Sequence, residues 1–159
     1  MLPYRSEIGL TFRVSGLPTP KGSMRVVPIR RADGSTAMRL VQDRRISDWV
    51  ATVRTMAAQV FGPEPPWTGP VRMGLEFYFP RPKSHYRGGK PGPGRLRHDA
   101  PKSVTRRPDL DKLLRAVLDA LTGVVIADDA QVAEIRTLKE YADEDGSPGV
   151  LISIWRRPK

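Results

Sequence analysis

Six apolar residues spaced along one short stretch constrain this chain more than any other feature. Leu110, Leu113, Leu114, Val117, Leu118 and Leu121 recur at intervals of three and four. At about 100° per residue that spacing gathers them on one face of a helix. A face so apolar has to be covered, and the chain supplies a cover upstream. From Val71 to Phe79 it alternates strictly, with Val71, Met73, Leu75, Phe77 and Phe79 on one side and Arg72, Gly74, Glu76 and Tyr78 on the other. This is the pattern of a half-buried strand. The helix is therefore expected to lay its apolar face on a sheet that contains this strand.

The remaining elements fit that frame. A first strand is expected over 8–14, then a turn-rich segment over 16–23. Two short strands follow, near 24–30 and 37–41, joined across Asp33-Gly34, a strong hairpin-turn pair. Ser47 or Asp43 is placed to cap a helix reaching about Phe61, with Trp49, Val50, Val53, Met56, Ala57 and Val60 as its buried stripe. Pro63, Pro65 and Pro66 stop it. Gly123 ends the second helix. A short apolar run, Val124 to Ala127, leads to strands near 131–141 and 149–155, with a turn at 143–146. No repeat is present, and 159 residues read as a single domain, 1–159.

Composition narrows the chemistry. There is no cysteine, which removes thiol nucleophiles and thiolate metal sites, and only two histidines, His85 and His98, which removes an imidazole-rich zinc site. A metal here must be held by oxygen, which favours a hard cation, Mg²⁺ or Mn²⁺. A formal charge of +10 favours a polyanionic partner, nucleic acid above all. No run approaches a membrane span, so the expectation is a cytoplasmic protein associated with the nucleoid.

Between Pro80 and Arg107 periodicity disappears. Nine basic residues stand there against one acid, Asp99. Either this is a solvated linker, or it is a long basic loop (80–107) that tracks phosphates and orders on its substrate. His85 could donate to a phosphate, but a loop histidine is more often exposed, and it is expected to face solvent.

Acidic residues concentrate further on. Asp109 and Asp111 flank the mouth of the second helix, where peptide N–H groups are positioned to orient their oxygens. Asp128 and Asp129 follow the apolar run. If Val124 to Ala127 folds back beside the helix start, one of that pair approaches Asp109 and Asp111, and three convergent carboxylates require a divalent cation. The plainer readings are an N-cap at Asp109, a salt-bridge ladder through Asp111, Arg115 and Asp119, and an ordinary turn at Asp128-Asp129.

The runs from Arg107 to Asp111 (RPDLD), Leu114 to Gly123 (LRAVLDALTG) and Asp128 to Val132 (DDAQV) closely resemble the core of the RusA family of Holliday-junction resolvases, known from bacteria, phages and prophages. Arg81 to Tyr86 (RPKSHY), Lys90 and Ala100-Pro101 are similar to its phage-type branch. The resemblance implies a small α+β domain, a mixed β-sheet with two main helices packed on it. It acts as a homodimer with two Mg²⁺-dependent sites, each nicking one of two opposed strands of a four-way junction. The resemblance also implies that Asp109, Asp111 and Asp129 carry the metal, with Asp128 as a less certain neighbour. A catalytic lysine is common in the family one turn past the second aspartate, where this chain has Arg115. Arginine keeps the charge but cannot readily release a proton, so Arg115 can stabilise charge and cannot act as an acid.

The expected reaction is in-line hydrolysis of the phosphodiester, leaving a 5′-phosphate. Lys83, Arg87, Lys90, Arg106 and Arg107 are assigned to the DNA backbone. Two other readings stay open: a metal nuclease for flaps or forks, and a non-enzymatic DNA-binding module whose acids are structural. The surface of the dimer, and any role for residues 1–66, are not legible.

Overall fold

The computed structural model describes residues 9–22, 25–41, 44–143 and 146–157. Strand β1 (Gly9–Ser15) precedes a hairpin of β2 (Arg25–Arg30) and β3 (Thr36–Val41). Helix α1 (Arg44–Phe61), strand β4 (Val71–Phe79), helix α2 (Leu110–Leu121) and strands β5 (Val132–Tyr141) and β6 (Gly149–Arg156) complete the order. The fold is α+β, as the resemblance implies.

β4 is central because its alternation gives one fully apolar side. Val71, Met73, Leu75, Phe77 and Phe79 are all buried. β4 pairs antiparallel with β6 and parallel with β5, and β1 closes the far edge, giving the order β1-β6-β4-β5. Both helices lie on the apolar side, where Leu113, Val117 and Leu121 of α2 and Trp49, Val53 and Ala57 of α1 join one core with Phe12, Val14, Ile152 and Ile154. Each fully buried aliphatic side chain of this kind contributes about 1.5–3 kcal/mol.

The parallel pairing of β4 with β5 decides where the site residues fall. Parallel neighbours need a crossover, and α2 provides it. In register, Val71 stands opposite Val132, and Phe79 opposite Tyr141. The sheet therefore has an upper end, where β4 and β5 finish, and a lower end, where they begin. α2 runs from the upper end to the lower. Gly123 follows its C-cap with φ +77°, a left-handed conformation that only glycine adopts freely, and its N–H donates to the Ile126 carbonyl at 2.7 Å.

Several expectations need correction. α1 begins at Arg44, so Ser47 lies inside the helix and is not its cap, and Asp43 falls outside the described residues. Val60 belongs to the apolar stripe by angle but is 43% exposed, while its neighbour Phe61 packs on the core edge-on to Trp67. Segment 80–107 is not structureless. Arg81 donates to the carbonyls of Ala142 (2.8 Å) and Pro101 (2.9 Å), Tyr86 and Val104 are buried, and single 3-10 turns form at Lys83–His85 and Arg87–Gly89. His85 does not face solvent. It is 8% exposed and stands edge-on to Tyr141, ring centroids 4.7 Å apart. Among the described residues no helix is long and apolar enough to cross a membrane.

Candidate functional site

The mouth of α2 is built at the upper end of the sheet. Residues 102–104 run along the free edge of β5: the Val104 N–H donates to Lys139 O (3.1 Å) and the Tyr141 N–H to Lys102 O (2.9 Å). The chain then turns towards the helix under the control of one lysine. Lys139 Nζ donates to the carbonyls of Arg106 and Pro108, both at 2.7 Å. Arg106 Nε donates to the Tyr141 hydroxyl at 3.2 Å, and Tyr141 is held in turn between His85 and the Arg81 guanidinium, 5.6 Å from its ring centre. The backbone leading to Asp109 is thus tied to the end of β5 at several points.

Asp109 occupies the N-cap position with extended backbone (φ −72°, ψ 139°), yet its carboxylate makes no capping hydrogen bond. The helix N–H groups do not orient it, contrary to expectation. It accepts instead from Lys112 Nζ at 2.9 Å. That hydrogen bond and charge, with Arg107 and Lys139 nearby, hold the carboxyl below its ordinary pKa of 3.8. Asp111 and Arg115 are exposed, and neither has an ion-pair partner among the described residues. The proposed ladder through Asp111, Arg115 and Asp119 does not form, because Asp119 pairs with Lys21.

Asp128 and Asp129 behave differently. Asp128 caps the 3-10 turn Asp129–Gln131: its carboxylate accepts from the Ala130 N–H (2.8 Å), while Gln131 Oε1 accepts from the Asp128 N–H (2.7 Å). This is a capping box, and it commits Asp128 to local structure. Asp129, one residue on, is exposed and without an ion-pair partner among the described residues.

The two pairs do not meet within one chain. Val124 and Val125 donate to the Leu121 carbonyl, so the apolar run closes on the last turn of α2 and not on its first. A two-way exchange between Trp67 and the run (Trp67 N–H to Val125 O, Ala127 N–H to Trp67 O) fixes it at the lower end of the sheet. Asp109 and Asp111 stand at the upper end. The 12 residues of α2 between the pairs span about 18 Å. Accordingly, among the described residues no three acidic or imidazole groups gather closely enough to hold a metal ion.

Of the residues assigned to DNA, Lys83, Arg87, Lys90, Arg106 and Arg107 are all exposed. Arg106 and Arg107 precede Asp109 by three and two residues, whereas Lys83 and Arg87 sit in the two 3-10 turns of the loop and Lys90 follows the second. Lys139 and Tyr141 escaped sequence reasoning. The signal was present: a lysine in register with Phe77, on the core side of a strand, is out of pattern and needs a specific partner.

The molecule is a mixed sheet with both helices on one face and a carboxylate pair at a helix mouth, with Lys112, Arg107 and Lys139 close by. The chain belongs to the RusA family of endodeoxyribonucleases, whose model, described as Endodeoxyribonuclease RusA, matches residues 16–155. It is also similar to a protein of Bacillus subtilis (strain 168) described as Uncharacterized protein YqaN, 31% identical over 142 residues that cover 85% of this chain and 89% of that one.

Proposed function

We propose that this protein is a divalent-metal-dependent endonuclease that resolves four-way DNA junctions as a homodimer, by paired nicks that leave 5′-phosphates. Asp109 and Asp111 hold the ion from one subunit, and Asp129 of the partner subunit completes the site. The observation that carries this reading is the position of these carboxylates. Asp109 is held only by Lys112, Asp111 and Asp129 have no ion-pair partner among the described residues, and α2 keeps Asp129 at the opposite end from the other two.

The donor set suits a hard cation such as Mg²⁺ or Mn²⁺, because carboxylate oxygens are its preferred ligands. Once bound, such an ion supplies Lewis acidity and a lowered pKa for water. The chain does the rest. Lys112 keeps Asp109 ionised. Lys139 fixes the backbone that carries it. Arg115, one turn past Asp111, reaches for a non-bridging oxygen of the scissile phosphate, where its permanent charge offsets the charge that develops in hydrolysis. Arg106 and Arg107 grip the flanking phosphates, and Lys83, Arg87 and Lys90 extend that contact along the strand. A C2 dimer matches the approximate twofold symmetry of a four-way junction, one site to each scissile strand.

The test is nicking of a synthetic four-way junction in Mg²⁺, beside three-way and flap substrates at the same salt. Wild type is expected to cut the four-way junction in opposed strands, and Asp111→Asn to bind it without cutting. Wild type inert in both Mg²⁺ and Mn²⁺ would defeat the proposal. Preference for flaps would retain the nuclease and overturn the junction assignment.

A further inference from the structure

The β2–β3 hairpin has no evident reason to stand where it does. It makes no extended contact with any other helix or strand among the described residues. Isolated two-stranded ribbons are marginal in water, and this one exposes apolar side chains on both faces. Register puts Val26 (55% exposed) and Met38 (69% exposed) on one face, and Val27 and Ile29 on the other. Such a ribbon calls for something to lie against.

Charge identifies the occupant. Arg30, Arg31 and Arg39 are exposed on the ribbon and have no ion-pair partner among the described residues. The single acid of the ribbon, Asp33, is spent on its own turn, where it accepts from the Ser35 N–H (2.9 Å) and hydroxyl (2.6 Å). Several other surface cations do have acidic partners, as in Arg97–Asp99, Lys102–Glu140 and Arg157–Glu134. A second copy of the ribbon would meet it with like charge. A phosphate backbone complements the arginines, and the major groove of duplex DNA is wide enough to admit a two-stranded ribbon.

The segment that precedes the ribbon is tied to the candidate site. The Lys21 N–H donates to the carbonyl of Lys112 (3.0 Å), one residue past Asp111, and the Lys21 ammonium pairs with Asp119 on the same helix. Two bonds therefore fasten the chain, four residues before β2 begins, to the helix that carries Asp111 and Arg115.

We propose that the β2–β3 hairpin is a DNA-gripping arm. It enters the groove of a duplex branch next to the scissile strand, its arginines on phosphates and its valines, isoleucine and methionine against sugars and base edges. This deepens the proposed nuclease reading and rests on it.

The test is the salt dependence of binding to a synthetic four-way junction in metal-free buffer, followed by fluorescence anisotropy. The probe is the full chain and its triple variant Arg30→Gln, Arg31→Gln, Arg39→Gln. Each lost phosphate contact lowers the slope of log K against log salt by about 0.9. The triple variant is therefore expected to lose more than two units of slope, and the matching triple Arg→Lys variant to keep them. An unchanged slope in the glutamine variant, with wild type binding normally, overturns the arm and leaves the nuclease intact. A glutamine variant whose DNA-free oligomeric state differs from wild type by sedimentation also overturns it, assigning the ribbon to subunit contact. Wild type with no affinity for any branched substrate defeats the arm and the nuclease reading together.

Discussion

Asp109-Leu110-Asp111 and Asp128-Asp129 both place aspartates at the start of a helical turn, and the structure uses them in opposite ways. Asp128 is drawn into a capping box because Gln131 stands three residues on, reciprocates from Oε1, and is itself anchored through Nε2 on the carbonyls of Trp67 (2.9 Å) and Gly69 (2.8 Å). Asp109 holds the same position on α2, but its third neighbour is Lys112, which captures the carboxylate from the side and leaves the cap unmade. The residue three places downstream thus decides whether an aspartate caps its turn or is held from the side by a cation. In one pair the first residue is consumed and the second left over; in the other, neither caps the helix.

Substitutions can break this contrast, and the largest effect belongs to the carboxylates that cap nothing. Asp109→Asn and Asp111→Asn are each expected to lower junction nicking by more than the 10–100-fold typical of residues that merely support a metal ligand. Junction affinity and thermal stability should hold. Asp128→Ala should do the reverse, costing about 1 kcal/mol of stability in urea titration while nicking persists. A stability loss in Asp109→Asn as large as in Asp128→Ala would erase the distinction.

Next comes Lys139→Met. It leaves the carbonyls of Arg106 and Pro108 without their charged donor, at a cost of about 1–3 kcal/mol. Nicking should then require more Mg²⁺ for half-maximal rate, and excess Mg²⁺ should recover most of the rate. A stability loss with no change in Mg²⁺ requirement would confine Lys139 to the fold.

Smaller effects concern protons. Lys112 lowers the pKa of Asp109, so the carboxylate stays ionised further into acid. Lys112→Met raises that pKa, and the acid limb of the nicking pH profile should move to higher pH. His85 is shifted the other way round, as a base: burial first, then Arg81, Arg106 and Arg97, hold it below its usual 6.5. The folded protein therefore resists protonating it, and stability should fall as pH drops below about 6.5. His85→Gln should flatten that part of the melting-temperature profile between pH 5 and 7. An unchanged profile would remove His85 as its source.

Much of the architecture was legible. Strict alternation gave β4 its limits, the leucine spacing gave α2 its length, and Asp33-Gly34 marked the hairpin turn, because each pattern is local and strong. At Val60 the periodicity failed because it does not say which residue of the last turn takes the buried place: Phe61 packs on Trp67 there and Val60 is left exposed. His85 failed because a loop sequence does not reveal that Tyr141, in a distant strand, offers it a ring to pack on. The site was half legible. The carboxylates can be picked out by residue type, but whether they converge has no signature in the chain. The eight residues from Thr122 to Asp129 reach about 26–29 Å when extended, enough to return along a helix of about 18 Å. It is the closure of Val124 and Val125 on the Leu121 carbonyl that keeps Asp129 at the lower end. The strand order β1-β6-β4-β5 has no local signature at all.

The central claim is that the site is shared between subunits, and mixing two inactive variants tests it most directly. Asp111→Asn and Asp129→Asn, carried on differently tagged chains and co-expressed in equal amounts, pair at random into dimers. A mixed dimer then has one site carrying both substitutions and one carrying neither. About a quarter of wild-type nicking should return, as cuts in a single strand without resolution of the junction. Mixed dimers recovered through both tags that bind the junction and cut nothing would contradict the account.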